Sequence, residues 1–281
     1  MTRHELRQAQ AAAVDAAQQA GDLMRRHWRS PKVIGQSTRH DIKLELDVRS
    51  QRLIGRTLAR ALPDVPVLGE EGDQAGGDHL RRWVVDPIDG TVNYAHGIPH
   101  ACVSIALQAR EPTGPTAAFR TRLGVVYDPF GGELWTAQAG GVARLNGKPI
   151  AVSTRPLAES MVSLGFGNSA GVIEYLVPAI GNLANRVRKI RLMGSAALAL
   201  CYVATGRFDA FLEPGLRLWD IAAGGFIVEQ AGGTFWRRQL QGYERHAVNA
   251  HNGRLGRALN PFLRPLIAND RSQAGTGRSA G

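Results

Sequence analysis

The first sixty residues place apolar side chains at intervals of three and four. Residues 3–28 repeat Ala, Leu and Met at this spacing with Arg and Gln between them, and residues 45–62 continue the pattern. An apolar stripe of this period is typical of helices that pack on a core through one face. Pro31 and Pro63 stand just beyond the two repeats, where proline ends a helix. The sequence therefore predicts two helices joined by a polar loop at residues 30–41.

After residue 63 the pattern changes to short apolar runs bounded by Gly, Pro and Asp, as is typical of β-strands. These predicted strands lie at residues 66–68, 83–85, 101–108, 123–127 and 133–137. After residue 152 helical and strand-like segments alternate, with predicted helices at 172–184, 195–205 and 220–230 and predicted strands at 189–192, 208–212 and 234–236.

This order of elements predicts an α/β protein in which helices and sheets form layers. We expect two parts, residues 1–150 with an α+β pattern and residues 151–260 with an α/β pattern, that meet across a cleft. Residues 261–281 end in a Gly- and Ser-rich stretch without aromatic side chains, and we expect them to form a flexible tail.

Composition excludes several other classes of protein. The chain has 281 residues, 44% of them hydrophobic, which is enough for a large core. Cys102 and Cys201 lie inside apolar runs, so we expect buried thiols rather than a disulfide scaffold. The N-terminal segment has no apolar signal core, and the most apolar stretch, residues 194–205, is shorter than the roughly 20 residues of a membrane span. These features predict a cytoplasmic protein with no membrane partner.

The basic excess lies mostly near the C-terminus. From Arg237 onward the chain has eight Arg and two acidic residues, which accounts for six of the ten net positive charges. A nucleic-acid interface is expected to interleave basic and aromatic residues, and the last residues of the chain contain no aromatics. We therefore do not expect nucleic acid as the main partner, although the charge keeps a binding role open.

Acidic side chains follow the ends of two predicted strands. Glu70 follows the strand at 66–68, Asp86 and Asp89 follow the strand at 83–85, and Asp220 opens a predicted helix. Binding sites of α/β proteins collect at such positions. Carboxylate oxygens are the ligands that Mg²⁺ prefers, so this pattern predicts a magnesium site. The alternative is that Asp86 and Asp89 serve as a helix N-cap and a turn residue.

The segment 86–91, DPIDGT, can bring several oxygen atoms to one point. The proline restrains Asp86 to an extended backbone, and Asp89 can point to the same centre with the Ile88 carbonyl oxygen between them. Gly90 allows a close approach of the main chain to a ligand. Its N–H group and that of the next residue could then donate to phosphate oxygens.

The order of these motifs resembles the inositol monophosphatase family of Mg²⁺-dependent, lithium-sensitive phosphatases. The similarity is carried by GEEG at 69–72, WVVDPIDGTVNYAHGIPHACVSIAL at 83–107 and WDIAAGGFIVEQAGG at 219–233, and it continues more weakly over about residues 5–255. It implies the αβαβα sandwich shared with fructose-1,6-bisphosphatase and the hydrolysis of a phosphomonoester.

The resemblance implies two to three Mg²⁺ ions at one site. Glu70, Asp86 and the Ile88 carbonyl would hold the first ion, and Asp86, Asp89 and Asp220 the second. A third, weaker ion would lie near Glu70. The implied substrate-binding residues are Asp89, Gly90, Thr91, Gly194, Ser195, Ala196, Glu213 and Arg217. For Arg217 a salt bridge with Glu213 is an equally good interpretation.

The resemblance also implies direct, in-line displacement on phosphorus. Thr91 with Glu70 or Asp47 would orient and deprotonate the attacking water, and Asp47 would be paired with Thr91. Lys43 and Glu45, close to Asp47, depart from the family pattern.

The implied substrate is an inositol monophosphate or a related small polyol or sugar phosphate. Histidinol phosphate and nucleotide 3′-phosphates are alternatives within the same family. A protein that uses this scaffold to bind RNA or the transcription machinery is the alternative from another class. The resemblance also implies a homodimer.

Overall fold

The computed structural model describes residues 1–37, 42–72, 79–110, 118–166 and 180–262. The helices are α1 (Arg3–Arg26), α2 (Glu45–Ala61), α3 (Thr91–Ala95), α4 (Ala196–Ala204) and α5 (Leu218–Gln230), with a 3₁₀ turn at Leu157–Glu159. Residues 180–184 and 256–262 are also helical. The rest of the helix predicted at 172–184 and nearly all of the predicted flexible tail at 261–281 lie outside the described residues.

The strands of the described residues form three sheets. The strands are β1 (Ile34–Ser37), β2 (Ile42–Leu44), β3 (Val67–Gly69), β4 (Arg81–Asp89), β5 (Cys102–Arg110), β6 (Phe119–Asp128), β7 (Glu133–Gln138), β8 (Arg144–Leu145), β9 (Lys148–Pro149), β10 (Met161–Leu164), β11 (Lys189–Arg191), β12 (Ala210–Arg217), β13 (Thr234–Gln239) and β14 (Arg245–His251). The first sheet is β1-β2, the second runs β3 to β9 in order, and the third has the order β11-β10-β12-β14-β13.

Both predicted N-terminal helices are confirmed. Helix α1 begins with a capping box, in which the Thr2 hydroxyl accepts from Glu5 N at 3.1 Å and Thr2 N donates to Glu5 Oε2 at 2.7 Å. Helix α2 begins where the Asp47 carboxylate accepts from Leu44 N at 2.7 Å. The loop predicted at 30–41 is wrong in part, because residues 34–37 pair with β2 as a short antiparallel strand.

The seven-stranded sheet buries both of its faces. Only β3 and β4 are parallel, and every other neighbouring pair is antiparallel. Side chains alternate across a strand, so Trp83 and Val85 pack with α1 and α2 whereas Val84 packs with α4 and α5. The apolar runs of this sheet are therefore continuous rather than alternating with polar residues.

Helices α4 and α5 lie between the two large sheets. Their apolar residues share one core with Val126 of β6 on one side and Phe211 and Val248 of β12 and β14 on the other. The outer face of the five-stranded sheet packs against Leu183 and Leu259 of the two short helical segments. The layers are thus αβαβα, as the resemblance implies. The division near residue 150 stays a prediction.

Two further differences concern strand ends. Strand β12 continues to Arg217, beyond the predicted end at residue 212, and β14 at Arg245–His251 was not predicted. Both extra segments pair with each other along the antiparallel β12–β14 ladder, so tertiary pairing rather than an apolar run creates them. No helix in the described part of the chain combines the length and apolar character needed to cross a bilayer.

Helix α5 packs closely against the sheet at a glycine of β6. A Cβ atom on Gly124 would lie 2.8 Å from the carbonyl oxygen and 3.2 Å from Cα of Ala223 in α5. Both are closer than packed atoms ordinarily come. The absence of a side chain at Gly124 therefore allows α5, the helix that carries Asp220, to pack this close to the seven-stranded sheet.

We expect Gly124→Ala to lower the free energy of unfolding by about 1–3 kcal/mol, because the backbone of α5 must move away from the sheet. Gly55→Ala is the matched control, since a Cβ atom there meets nothing within 4 Å inside α2. That variant should raise the free energy of unfolding by about 0.5–1 kcal/mol. Urea unfolding followed by circular dichroism measures both. Equal stability of the two variants would contradict this account of the helix–sheet contact.

Candidate active site

A cavity of about 910 Å³ opens where the ends of the two large sheets meet. Its wall is formed by the ends of β3 and β4, the starts of α3, α4 and α5, the end of β12 and the turn between β13 and β14. The predicted site residues that line it are Glu70, Asp86, Ile88, Asp89, Gly90, Thr91, Gly194, Ser195, Ala196, Glu213, Arg217 and Asp220. Asp47 is buried and does not line it.

The strand β4 continues to Asp89, four residues beyond its predicted end at residue 85. Asp86 pairs with Ser104 and Asp89 with Cys102, so three steps along β4 oppose two steps along β5. In a regular strand, residues three apart point to opposite faces. The β-bulge between them removes this alternation, and both carboxylates line the same cavity.

Backbone groups around the bulge fix its geometry. The Asp86 Oδ1 atom accepts from Ile88 N at 3.0 Å, and the Thr91 hydroxyl donates to the Ile88 carbonyl oxygen at 2.8 Å. Gly90 has φ of +90°, and a Cβ atom there would lie 2.8 Å from the carbonyl oxygen of His100. Any other residue at 90 would be strained and would collide with that backbone.

The Asp89 carboxylate binds the N-terminus of α4. Its Oδ2 atom accepts from the Ser195 hydroxyl and from Ala197 N at 2.8 Å, and its Oδ1 atom accepts from Ala196 N at 3.3 Å. Asp86 thus makes the local turn contact of the alternative interpretation, but neither aspartate is a helix N-cap, because Gly90 precedes α3 and Ser195 precedes α4. Because a carboxylate has about four acceptor positions, these bonds orient the groups and leave acceptor capacity toward the cavity.

Asp220 enters the cavity from the first turn of α5. Its Oδ2 atom accepts from Arg217 N at 2.7 Å, which fixes the carboxylate beside the strand that precedes the helix. The Arg217 guanidinium donates to the carbonyl oxygen of Tyr243 rather than to Glu213. Of the two interpretations of Arg217, the salt bridge with Glu213 is thus absent.

Burial dominates the electrostatics of the acidic residues. It raises the pKa of Asp86 well above the ordinary value, and the charges of Glu70 and Asp89 raise it further. It likewise raises the pKa of Asp220 well above the ordinary value, with Asp89 and Glu70 as the next causes. For Asp89, burial raises the pKa, and the hydrogen bonds from Ser195 and α4 oppose the shift. Ionising all of these groups together is unfavourable without a cation.

The donor chemistry of this cluster fits Mg²⁺. All of the groups are hard oxygen donors, and they lie within electrostatic reach of one another. In the described residues, no three acidic, His or Cys side chains already form a set that could enclose an ion. The charge of a bound cation would offset the repulsion among the carboxylates.

Asp47 acts on the cluster through its charge. It lies in the first turn of α2 and raises the pKa of Asp86. The pKa of Tyr94 is raised to about 12, by burial first and by Asp47 second. The pairing of Asp47 with Thr91 stays a prediction, as do the roles of Glu70 and Asp47 as bases. Glu45 is the exposed first residue of α2.

Sequence reasoning missed several residues that position the site. Gln51, 5% exposed inside α2, donates to Glu71 O at 2.7 Å and accepts from Glu71 N at 2.9 Å, which holds the loop that carries Glu70. Asn93 donates to Met193 O at 2.8 Å and thereby ties α3 to the segment before α4. Gln51 could have been found from the sequence, because it is a polar residue on the otherwise apolar stripe of α2. No pattern in the sequence indicated a role for Asn93.

Comparison with known proteins agrees with the resemblance found in the sequence motifs. A family model described as the inositol monophosphatase family matches residues 5–275. Nus factor SuhB of Xylella fastidiosa is 41% identical over 224 residues, 78% of this chain and 78% of that protein. Inositol monophosphatase 1 of Solanum lycopersicum is 39% identical over 233 residues, 80% of this chain and 82% of that protein. The solved structure of extragenic suppressor protein suhB from Bartonella henselae has a TM-score of 0.80 at 32% identity and covers 90% of this chain and 97% of that chain.

We expect Asp86→Asn to stabilise the metal-free protein at neutral pH. The folded-state pKa of Asp86 lies above that of the unfolded chain, so its contribution to stability is lost as the pH rises through the folded-state value. The amide removes the charge and keeps an oxygen that can accept from Ile88 N. The melting temperature in EDTA should rise by about 2–4 °C for each kcal/mol relieved.

Thermal melting between pH 5 and 8, in EDTA and then with Mg²⁺, measures this effect. Mg²⁺ should raise the melting temperature of the wild type more than that of the variant. Asp64→Asn is the control, because Asp64 is exposed and does not line the cavity. If the variant and the wild type have the same melting temperature in EDTA at every pH, then repulsion between Asp86 and its acidic neighbours does not affect stability.

Proposed function

Since the chain belongs to the inositol monophosphatase family, whose members are phosphatases that use a divalent metal ion, we propose that it is a Mg²⁺-dependent phosphomonoesterase. Its substrate is an inositol monophosphate or a related small polyol or sugar phosphate. The observation that carries the proposal is the position of Glu70, Asp86, Asp89 and Asp220 in one cavity, with strongly raised pKa values at Asp86 and Asp220.

Two to three ions have ligands in this cavity. Glu70, Asp86 and the Ile88 carbonyl would hold one, and Asp86, Asp89 and Asp220 another, with a weaker one beside Glu70. When bound, Mg²⁺ supplies the positive charge that lets these acids ionise together and the Lewis acidity that favours attack on a phosphoryl group.

The chain itself orients the substrate and accepts the proton. The N–H groups of Gly90 and Thr91, at the start of α3, donate to the phosphate oxygens, and Gly90 has no side chain to obstruct them. Water attacks phosphorus in line with the leaving oxygen, and its proton passes to Glu70 or, by way of Thr91, to Asp47. The bond from phosphorus to the alcohol oxygen breaks, its electron pair stays on that oxygen, and the oxygen takes a proton from solvent water to leave as the alcohol. The alcohol lies against the second part of the site, formed by Gly194, Ser195, Ala196, Glu213 and Arg217.

We expect phosphate release that EDTA abolishes and that Asp86→Asn lowers by at least about 100-fold, because the residue belongs to both ion sites. Phosphate is assayed on a panel of inositol, fructose, histidinol and adenosine monophosphates, which also ranks the alternative substrates of the family. Asp64→Asn should retain wild-type rates. The proposal is contradicted if hydrolysis is undiminished in EDTA, or if a correctly folded Asp86→Asn variant hydrolyses substrate at the wild-type rate.

The same proposal includes inhibition by Li⁺, a homodimeric state and a cytoplasmic location. Inhibition by added Li⁺ is read in the phosphate assay at saturating Mg²⁺. Light scattering of the purified protein decides between one and two copies.

The second candidate function is binding to RNA or to the transcription machinery. It is favoured by the Nus factor SuhB relatives of Xylella fastidiosa and Escherichia coli and by the arginine excess from Arg237 onward. The two functions are compatible in one chain, because the described arginines from residue 237 onward, apart from Arg245, do not line the cavity of the acidic cluster.

Under this second function we expect RNA affinity that falls steeply with salt, because phosphate contacts release counterions. Asp86→Asn should leave the affinity unchanged, and replacing the eight arginines from 237 onward with Gln should remove most of it. Fluorescence anisotropy with a single-stranded RNA at several salt concentrations measures both. Affinity unaffected by the arginine replacements would reject this binding surface.

A further inference from the structure

The turn between β13 and β14, residues 240–244, forms part of the cavity wall. Tyr243 and the following Arg245 line the cavity, as does Arg217 at the end of β12. The Arg217 guanidinium donates to the carbonyl oxygen of Tyr243, so the turn also orients that side chain. The position of the turn therefore shapes the side of the cavity where the alcohol part of the substrate is proposed to lie.

The backbone of this turn contains a residue in an unfavourable conformation. Glu244 has φ of +49°, in the left-handed region that glutamate rarely adopts. Among the described residues, the other non-glycine residue with positive φ is Asn146, a residue type that this region suits. Its side-chain oxygen also accepts from Leu134 N at 2.8 Å. Glutamate has no such local preference, so contacts of the Glu244 side chain must offset the cost of its backbone conformation.

The Glu244 side chain does not line the cavity but joins the turn to the seven-stranded sheet. Its Oε1 atom lies 3.9 Å from Nη1 of Arg82 in β4, and its Oε2 atom lies 3.6 Å from Nε2 of His246 in β14. The three side chains are 22%, 17% and 7% exposed, so solvent screens these contacts weakly. The contact with His246, followed by the charge of Arg82, lowers the pKa of Glu244 and keeps the carboxylate ionised.

Arg82 is itself held by two neighbouring strands. Its Nε atom donates to Gln108 Oε1 in β5 at 3.0 Å. Its guanidinium carbon lies 4.1 Å from the centroid of the Phe119 ring in β6. Because the planar guanidinium makes both contacts at once, lysine is a poor substitute for it. The turn is thus anchored to a fixed group of the seven-stranded sheet.

We propose that Glu244 is a positioning residue of the active site, which holds the β13–β14 turn against Arg82 so that Tyr243 and Arg217 keep their places beside the alcohol part of the substrate. This rests on the proposed phosphatase function. The phosphoryl group lies at the carboxylates and the start of α3, whereas the turn belongs to the alcohol side. Loss of the anchor should therefore raise KM and change kcat less, because the alcohol part is bound alike in the substrate complex and in the transition state.

Glu244→Gly separates this role from that of an ordinary turn residue. Glycine removes the anchor and at the same time adopts the left-handed backbone without cost. We expect KM for the best substrate of the phosphate panel to rise about five- to tenfold, with kcat within about twofold of the wild type. Asn146→Gly is the matched control, because it changes a left-handed residue outside the cavity, and it should keep both constants.

Arg82→Gln removes the same anchor from the side of the sheet. It should raise KM as Glu244→Gly does, and Arg82→Lys should restore part of the loss. The double variant should be no worse than either single variant, because both changes break one contact. Inorganic phosphate, which needs only the phosphoryl side of the site, should inhibit every variant with the wild-type constant.

A measurement without catalysis tests the anchor directly. Leu240 N donates to Arg245 O at 2.8 Å and closes the turn. Amide hydrogen exchange of a peptide spanning residues 239–246 should therefore be faster in Glu244→Gly and in Arg82→Gln than in the wild type. Exchange at the wild-type rate in both variants overturns the anchor.

The kinetic outcomes separate this inference from the function on which it rests. Unchanged KM in Glu244→Gly and Arg82→Gln, or fully additive losses in the double variant, overturns the positioning role and leaves the phosphatase intact. Weaker inhibition by phosphate that accompanies the loss assigns Glu244 to the general stability of the site and also overturns it. If the wild type hydrolyses no substrate of the panel, the phosphatase itself is rejected, and hydrogen exchange still decides whether Glu244 holds the turn.

Discussion

The burial of several acidic side chains in one cavity is the constraint on which the rest of the structure depends. Asp86 is 2% exposed and Asp89 is 7% exposed, and the desolvation of each raises its pKa. Desolvating such groups costs free energy, which the large apolar cores on both faces of the seven-stranded sheet must offset. Because these acids are buried together, a cation that offsets their mutual repulsion would bind favourably in this cavity.

The acidic side chains sit on backbone that has little freedom to move. The bulge in β4 turns two aspartates to one side, and the start of α4 donates two N–H groups to Asp89. Gln51, in the middle of α2, holds the loop that carries Glu70. Because the three aspartates are attached to a helix or strand of a packed layer and the Glu70 loop is held by Gln51, repulsion cannot simply move these carboxylates into solvent.

Sequence reasoning succeeded where one element determines its own structure. The two amphipathic helices and the buried strands follow from apolar periodicity, and segment 86–91 follows from its residue types. It failed at strand ends. Asp86 and Pro87 ordinarily mark the end of a strand, yet β4 continues to Asp89 because β5 supplies hydrogen-bonding partners on both sides of a bulge. The strand β14 was missed for the same reason, since it forms by pairing with β12 and β13.

The sequence alone determined which chemical groups are available: the acidic residues at strand ends, the glycine at position 90 and the order of motifs that places the chain in its family. The tertiary structure decided which groups meet. Arg217 faces Arg245, Gln51 binds Glu71 and Asn93 binds the backbone at 193 because of strand register and layer packing. These contacts join residues far apart along the chain, and neither periodicity nor local spacing contains that information.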